Sequence, residues 1–215
     1  MRICAARTPN AECRTPGKNC LTGSSATIDE FLNATAAAKP TPGGGSVTAL
    51  VAALAASLGE MVLNYSVNKK DLVAHQAELK LGLEELTRAR QLLVGLMAED
   101  QEAYAGLSAA RKQPNSEEFT TALRACIAAP QAVAATALAI LGLCDRLRDK
   151  VNKHLLSDLS ICADLCMTTV RCSIHNVRIN LSDVTDAAWR TKIETESREV
   201  FLYALAIIQQ FSRRS

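Results

Sequence analysis

Apolar residues recur along this chain at helical spacing, and no stretch shows the sustained alternation of a strand. From Asp71 to about Ala110, steps of four and three place Leu79, Leu83, Leu86, Arg90, Leu93, Met97, Asp100, Tyr104 and Leu107 on one seam. That spacing keeps side chains on one face of an α-helix. A helix of this length is expected to bend, and Gly95 is the natural place. Two seam members, Arg90 and Asp100, are charged.

The same reading gives the other elements. Thr27 is a candidate N-cap for a short helix to about Ala38, with Asp29 and Glu30 at its positive end. A second helix runs from Val47 to about Val67 on Leu50, Leu54, Leu58, Met61, Val62 and Tyr65. Its remaining surface is mostly alanine, which predicts burial nearly all round. Ser116, Glu117 and Glu118 begin a helix that Pro130 kinks or restarts and that reaches about Lys150. A short polar connection follows, then a helix capped by Ser157 and ending at Leu181. Asp186 or Thr185 opens the last helix, which ends near Phe211.

The pattern therefore predicts an all-α, single-domain bundle of long helices over residues 26–215. Residues 1–25, rich in Thr, Pro, Gly, Asn and Ser, read as a disordered or extraneous head.

Composition narrows the function classes. Ala and Leu dominate and aromatics make up only 4%, which favours helices over sheets. A net charge of +2 is too slight for the basic face a nucleic-acid binder needs. The local cluster Arg146, Arg148, Lys150, Lys153 still offers a place for an acidic small molecule. Two uncharged runs, Pro40 to Gly59 and Ala125 to Cys144, raise the membrane question. Both contain proline and many small residues, so they are read as helices buried in an oligomer, where small residues permit close backbone approach, rather than as membrane spans. Met1 to Leu21 lacks the apolar centre of a cleavable signal, and a cytoplasmic protein is expected.

Of the eight cysteines, Cys4, Cys13 and Cys20 fall in the head and five lie in helical patterns. Cys162 and Cys166 share an apolar stripe with Leu155, Leu159, Val170 and Val177, which assigns them to the core. Two helical thiols near His154 and His175 are conceivable zinc ligands, but no short-spaced pair of structural-site type occurs, and no metal site is expected.

Several groups carry candidate chemistry. The run Pro42-Gly43-Gly44-Gly45-Ser46 leads into the alanine-rich helix. Uncovered N–H groups at the positive end of a helix dipole can hold an anion or a substrate carbonyl, with Ser46 as N-cap. A tight interhelical turn explains the same glycines. The run is neither a Walker loop nor a dinucleotide fingerprint.

Asp100 sits on an otherwise apolar seam, where lost hydration lifts its pKa toward the range useful for proton transfer. The alternative is a structural ion pair with an arginine. Asn152, Ser157 and Asp158 form a polar group at a helix start, which capping and dipole effects also explain. Asn176 and Asn180, four apart, suit the donor and acceptor edge of a heterocycle. Lys69 and Lys70 suit a carboxylate tail, or a solvated helix end.

Taken together these residues resemble the formimidoyltetrahydrofolate cyclodeaminase and methenyltetrahydrofolate cyclohydrolase family, the folate-processing half of formiminotransferase-cyclodeaminase. The likeness is carried by Pro42-Gly-Gly-Gly-Ser46, by Asp100-Gln-Glu-Ala-Tyr104, by Asn152 with Ser157-Asp158-Leu159, and by Asn176-Val-Arg-Ile-Asn-Leu181 leading to Asp186. It spans about residues 27–213. Val151 stands where the family usually has glycine.

The resemblance implies an all-helical subunit that forms a homodimer through helix packing and holds folate between helices. Asp100 would be the catalytic proton donor and acceptor. Gly43, Gly44, Gly45 and Ser46 would hold the pterin or its one-carbon region. Tyr104, Asn152, Ser157, Asp158, Asn176 and Asn180 would line the pocket, and Lys69 or Lys70 would meet a glutamate or polyglutamate tail. Tetrahydrofolate is then the only small-molecule partner implied, with no further cofactor and no metal. A non-catalytic folate-binding or scaffold protein of the same fold is the alternative, and Val151 is the feature that favours it.

Overall fold

The structure is a computed structural model, described for residues 27–114 and 116–213. Among those residues there are six α-helices and no strand: α1 (Ile28–Ala36), α2 (Gly44–Asn64), α3 (Gln76–Ala110), α4 (Glu117–Leu147), α5 (Leu156–Leu181) and α6 (Ala187–Arg213). The all-α bundle read from the sequence is the observed architecture. The head expected over residues 1–25 lies outside the described residues.

Local chemistry sets most of the boundaries. Thr27 and Glu30 close a reciprocal capping box at the start of α1, which ends at Ala36 rather than Ala38. Ser116 Oγ accepts the Phe119 N–H at the start of α4, and Asp186 Oδ1 accepts from Ala188 and Trp189 at the start of α6.

A further boundary differs from expectation. The segment after α2 is a tight 3-10 stretch, Lys70–His75, interrupted at Leu72, so α3 begins at Gln76 and not Asp71. Gly95 is exposed on an uninterrupted α3 and has nothing near its Cα to pack against. Helix α4 likewise runs through Pro130 as one element. Pro130 has no N–H for the carbonyl four residues earlier. That carbonyl, Cys126 O, instead accepts from Asn180 Nδ2 of α5 at 3.1 Å.

Helix α2 lies between α3 and α5, and α4 packs against both. The alanines of α2 explain the arrangement: Ala49, Ala52, Ala55 and Ala56 are wholly buried, and small side chains let neighbouring helices approach closely. Gly82 of α3 serves the same end, since a Cβ there would lie 2.8 Å from Leu147 Cδ1. Helices α2 and α4 are long and apolar enough to cross a membrane by length and composition alone. Here their apolar faces supply core packing for the other helices.

The core has two parts. The main cluster joins Leu79, Leu86, Leu93 and Met97 of α3 to α2, α4 and α5, with Cys144, Cys162 and Cys166 inside it. A smaller cluster at one end joins Leu107, Phe119, Ile127, Val177 and Ile193. On α3, Asp100 and Tyr104 fall between Met97 of the first cluster and Leu107 of the second.

Candidate functional site

A cleft of about 330 Å³ opens at that junction, bounded by the Pro40–Gly45 segment, α3, α4 and α5. Gly43, Gly44, Gly45, Asp100, Tyr104, Asn176 and Asn180 all line it. Two motifs that stand far apart in sequence thus meet around one carboxyl group.

Helix α2 begins at Gly44, with Gly43 as an N-cap that offers no side chain. Ser46 is therefore not the N-cap expected from the sequence. The glycines themselves take up the helical turn, which places Ser46 in the first turn, fully buried and facing α3. Its hydroxyl donates to Asp100 Oδ2 at 3.0 Å, and Met97 O lies 3.3 Å from the same Oγ. The Ser46 backbone N–H also faces the carboxylate. The positive end of α2 is thus aimed in part at Asp100 itself.

Close approach depends on Gly45. A Cβ on this residue would overlap Oδ1 and Cγ of Asp100 and lie 2.6 Å from Oδ2. At Gly44 a Cβ would lie 3.2 Å from Asn176 Oδ1. Two glycines therefore allow a carboxyl and a carboxamide to rest against the start of the helix.

Burial pushes the Asp100 carboxyl above its ordinary range, and the hydrogen bonds from Ser46 pull partly the other way. No arginine pairs with it among the described residues. The seam arginine, Arg90, is bound instead to Glu60 at 2.6 and 3.3 Å. Cys126, on the opposite wall, has its thiol pushed up to about 11 by burial and by the nearby Asp100 charge. It stays protonated at neutral pH and is no nucleophile.

Asn176 Nδ2 lies 3.4 Å from Thr48 Oγ1. Asn180 Nδ2 bonds Cys126 O and the carbonyl of Asn176, at 3.1 and 3.0 Å. Tyr104 is 45% exposed at the rim. Arg111, also at the rim, is bound to Asp183 at 2.7 Å. Sequence reasoning missed Arg111, Cys126 and Pro130, because their places depend on how α4 crosses α3.

The remaining site candidates gather elsewhere. Lys69 Nζ donates to Asn152 Oδ1 at 3.3 Å, and the Asn152 N–H donates to Ser66 Oγ at 2.9 Å. This group, with Lys70, Ser157 and Asp158, sits beyond the C-terminal end of α2, about 30 Å from the cleft at 1.5 Å per helical residue. Asn152 caps a one-turn 3-10 segment, Lys153–Leu155. Ser157 is consequently inside α5 rather than its N-cap.

The basic cluster also dissolves: Arg146 pairs with Glu85 and Lys150 with Glu78, while Arg148 is buried and donates to Phe211 O. A wider groove of about 980 Å³ between the end of α3 and the start of α4 exposes Glu99, Glu102, Glu117 and Glu118. It lacks Asp100, and a cluster of solvated carboxylates would repel an anionic ligand.

Comparison with known proteins assigns the chain to a family. The profile of the family described as Formiminotransferase-cyclodeaminase matches residues 27–199. A methenyltetrahydrofolate cyclohydrolase of Methylorubrum extorquens is 30% identical over 172 residues, covering 76% of this chain and 83% of that one. The formimidoyltransferase-cyclodeaminase of Rattus norvegicus is 30% identical over 176 residues, and the match spans only 32% of its length. The crystal structure of formiminotetrahydrofolate cyclodeaminase from Thermotoga maritima superposes with a TM-score of 0.84 at 31% identity, covering 88% of this chain and 95% of that one.

Proposed function

We propose, from the premise that this chain belongs to the formiminotransferase-cyclodeaminase family, that it is a folate one-carbon enzyme with Asp100 as its proton donor and acceptor. One observation carries the reading: a carboxyl with a raised pKa rests against a helix start, inside the cleft where the glycine and asparagine motifs converge. A protonated carboxyl can donate near neutral pH.

In the cyclodeaminase direction, N10 of 5-formimidoyltetrahydrofolate attacks the formimino carbon, and the N10 proton passes to the imino nitrogen. The tetrahedral carbon then carries an amino group, and Asp100 protonates that nitrogen as the C–N bond breaks. Ammonia leaves, and the 5,10-methenyl bridge remains. In the cyclohydrolase direction, water adds to the methenyl carbon and Asp100 takes its proton. Returning that proton to N5 as the N5–C bond breaks, with the remaining hydroxyl proton lost to solvent, gives 10-formyltetrahydrofolate. Neither path draws on a cofactor beyond the tetrahydrofolate substrate.

The first turn of α2 fixes the carboxyl, and Asn176 and Asn180 present polar groups to the ring. With a one-carbon unit bridging two nitrogens, the reacting atom needs only one acid-base group within reach, which is what the cleft supplies.

The test is spectroscopic. Purified protein should generate the near-ultraviolet absorbance of the methenyl compound from the formimino compound, or bleach it by hydrolysis. Folate binding with no turnover of either substrate would instead favour a non-catalytic folate-binding protein.

A further inference from the structure

We propose that the groove between α5 and α6 is a second binding site, for a small ligand that carries linked phosphoryl groups. It is independent of the folate reading, because α5 separates the two sites. Asn176 and Asn180 line the Asp100 cleft, whereas Arg171, His175 and Arg178 line the groove on the other side of that helix.

Helical spacing builds the groove. Positions 171, 175 and 178 follow the steps of four and three that keep side chains on one face of α5. Ser197, Arg198 and Phe201 face them from α6, and the space between is about 220 Å³.

The cations here lack partners. Arg171, Arg178 and Arg198 are exposed, and among the described residues none of them makes an ion pair, a hydrogen bond or a ring contact. Elsewhere the bundle pairs its arginines, Arg90 with Glu60, Arg111 with Asp183 and Arg146 with Glu85. Glu194 stands four residues before Arg198 and forms no ion pair with it, although Arg88 with Glu84 and Lys192 with Glu196 do so at that spacing. Glu196 and Glu199 border a separate hollow on the other flank of α6. The positive charge of the groove is therefore left for an anion to neutralise.

Ser197 is an independent sign of a missing occupant. It is only 9% exposed, it lines the groove, and among the described residues its hydroxyl makes no hydrogen bond. Ser57, Ser160 and Ser212, also inside helices, donate to the carbonyl four residues earlier. A buried hydroxyl without such a bond keeps its donor for something bound beside it.

The chemistry of the donors selects the ligand. Three guanidinium forks, an imidazole and a hydroxyl offer more donors than one carboxylate accepts. Arg171 and Arg178 stand about 10 Å apart along α5 at about 1.5 Å per residue, which suits anionic groups strung along a short chain. A terminal phosphoryl group brings about 1.5–2 negative charges and about three acceptor oxygens. A volume of 220 Å³ falls below the ~300 Å³ of an ordinary ligand pocket, and it fits a di- or triphosphate chain better than a whole cofactor. Ile174 and Phe201 make the apolar part of the wall, where reduced hydration strengthens ion pairs.

Titration calorimetry of the full chain with inorganic tripolyphosphate, ATP and citrate tests the site. Both phosphorylated probes are expected to bind the parent, and citrate, a tricarboxylate, more weakly. Tighter binding of ATP would identify a nucleotide as the source of the phosphoryl groups, and equal affinities a free polyphosphate; either upholds the site. The variant Arg171→Gln/Arg178→Gln/Arg198→Gln changes exposed side chains only and should match the parent in circular dichroism while binding at least ~10-fold more weakly. Ser197→Ala should weaken binding roughly 5-fold. No saturable binding of either phosphorylated probe, citrate binding as tightly as tripolyphosphate, or undiminished affinity in either variant would overturn the proposal.

Discussion

The Cα of Gly45 lies directly against the carboxyl group of Asp100, leaving no room for even a methyl group between them. This contact ties a glycine motif on one helix to an acid on another, 55 positions later in the chain. Gly45→Ala should therefore displace the carboxyl while α2, which gains an alanine, stays helical. The overlap is expected to cost about 1–3 kcal/mol, partly offset by helix propensity. Turnover should fall at least ~10-fold, a larger loss than the change in melting temperature would explain. Parallel thermal melts and rate measurements check this.

Ser46→Ala removes a hydrogen bond that holds the Asp100 carboxyl down against the upward push of burial. Without it the acid should remain protonated to higher pH, so the alkaline fall in the cyclodeaminase rate moves upward. The lost bond should cost about 1 kcal/mol in denaturant titrations. An alkaline limb that stays put would separate Asp100 from the titrating step.

Asp100→Asn has a stability signature with a definite sign. The unfolded carboxyl titrates near 3.8, and the folded one above that. Below 3.8 both states are protonated and the substitution should be neutral. As pH rises toward the folded value, the parent's unfolded state ionises first and the native state loses relative stability. The asparagine variant should therefore gain on the parent between acidic and neutral pH, as read by melting temperature across buffers.

Pro130 and Asn180 should prove energetically coupled. Asn180→Ala leaves Cys126 O without the bond that replaces the missing proline N–H, at a cost of about 1–3 kcal/mol. In a Pro130→Ala background the restored N–H should bond that carbonyl, and the same Asn180→Ala change should cost clearly less. A double-mutant cycle gives the difference directly.

Much of this was legible in the order of residues, because helical spacing is local. The α3 seam displayed Asp100 among leucines, and Thr27, Ser116 and Asp186 announced their helix starts. Ser46 was misplaced because glycine at the start of α2 supplies no side-chain cap, so the serine one turn in looked like the cap. Arg148 looked like surface charge because nothing near it in sequence shows that Phe211 returns to cover it. The separation of Asn152 from Asn176 was hidden for a related reason. Asn152 and Asn176 share the same short stretch of chain, and only the antiparallel packing of α5 on α2 sends one to each end.

The most direct test compares Asp100→Asn with the parent on both substrates, 5-formimidoyltetrahydrofolate and 5,10-methenyltetrahydrofolate, in one set of purified proteins with matching circular dichroism. The account predicts that the parent turns over at least one of them and that the variant loses about 100-fold or more in kcat while still binding folate. A variant that turned over as fast as the parent would contradict it.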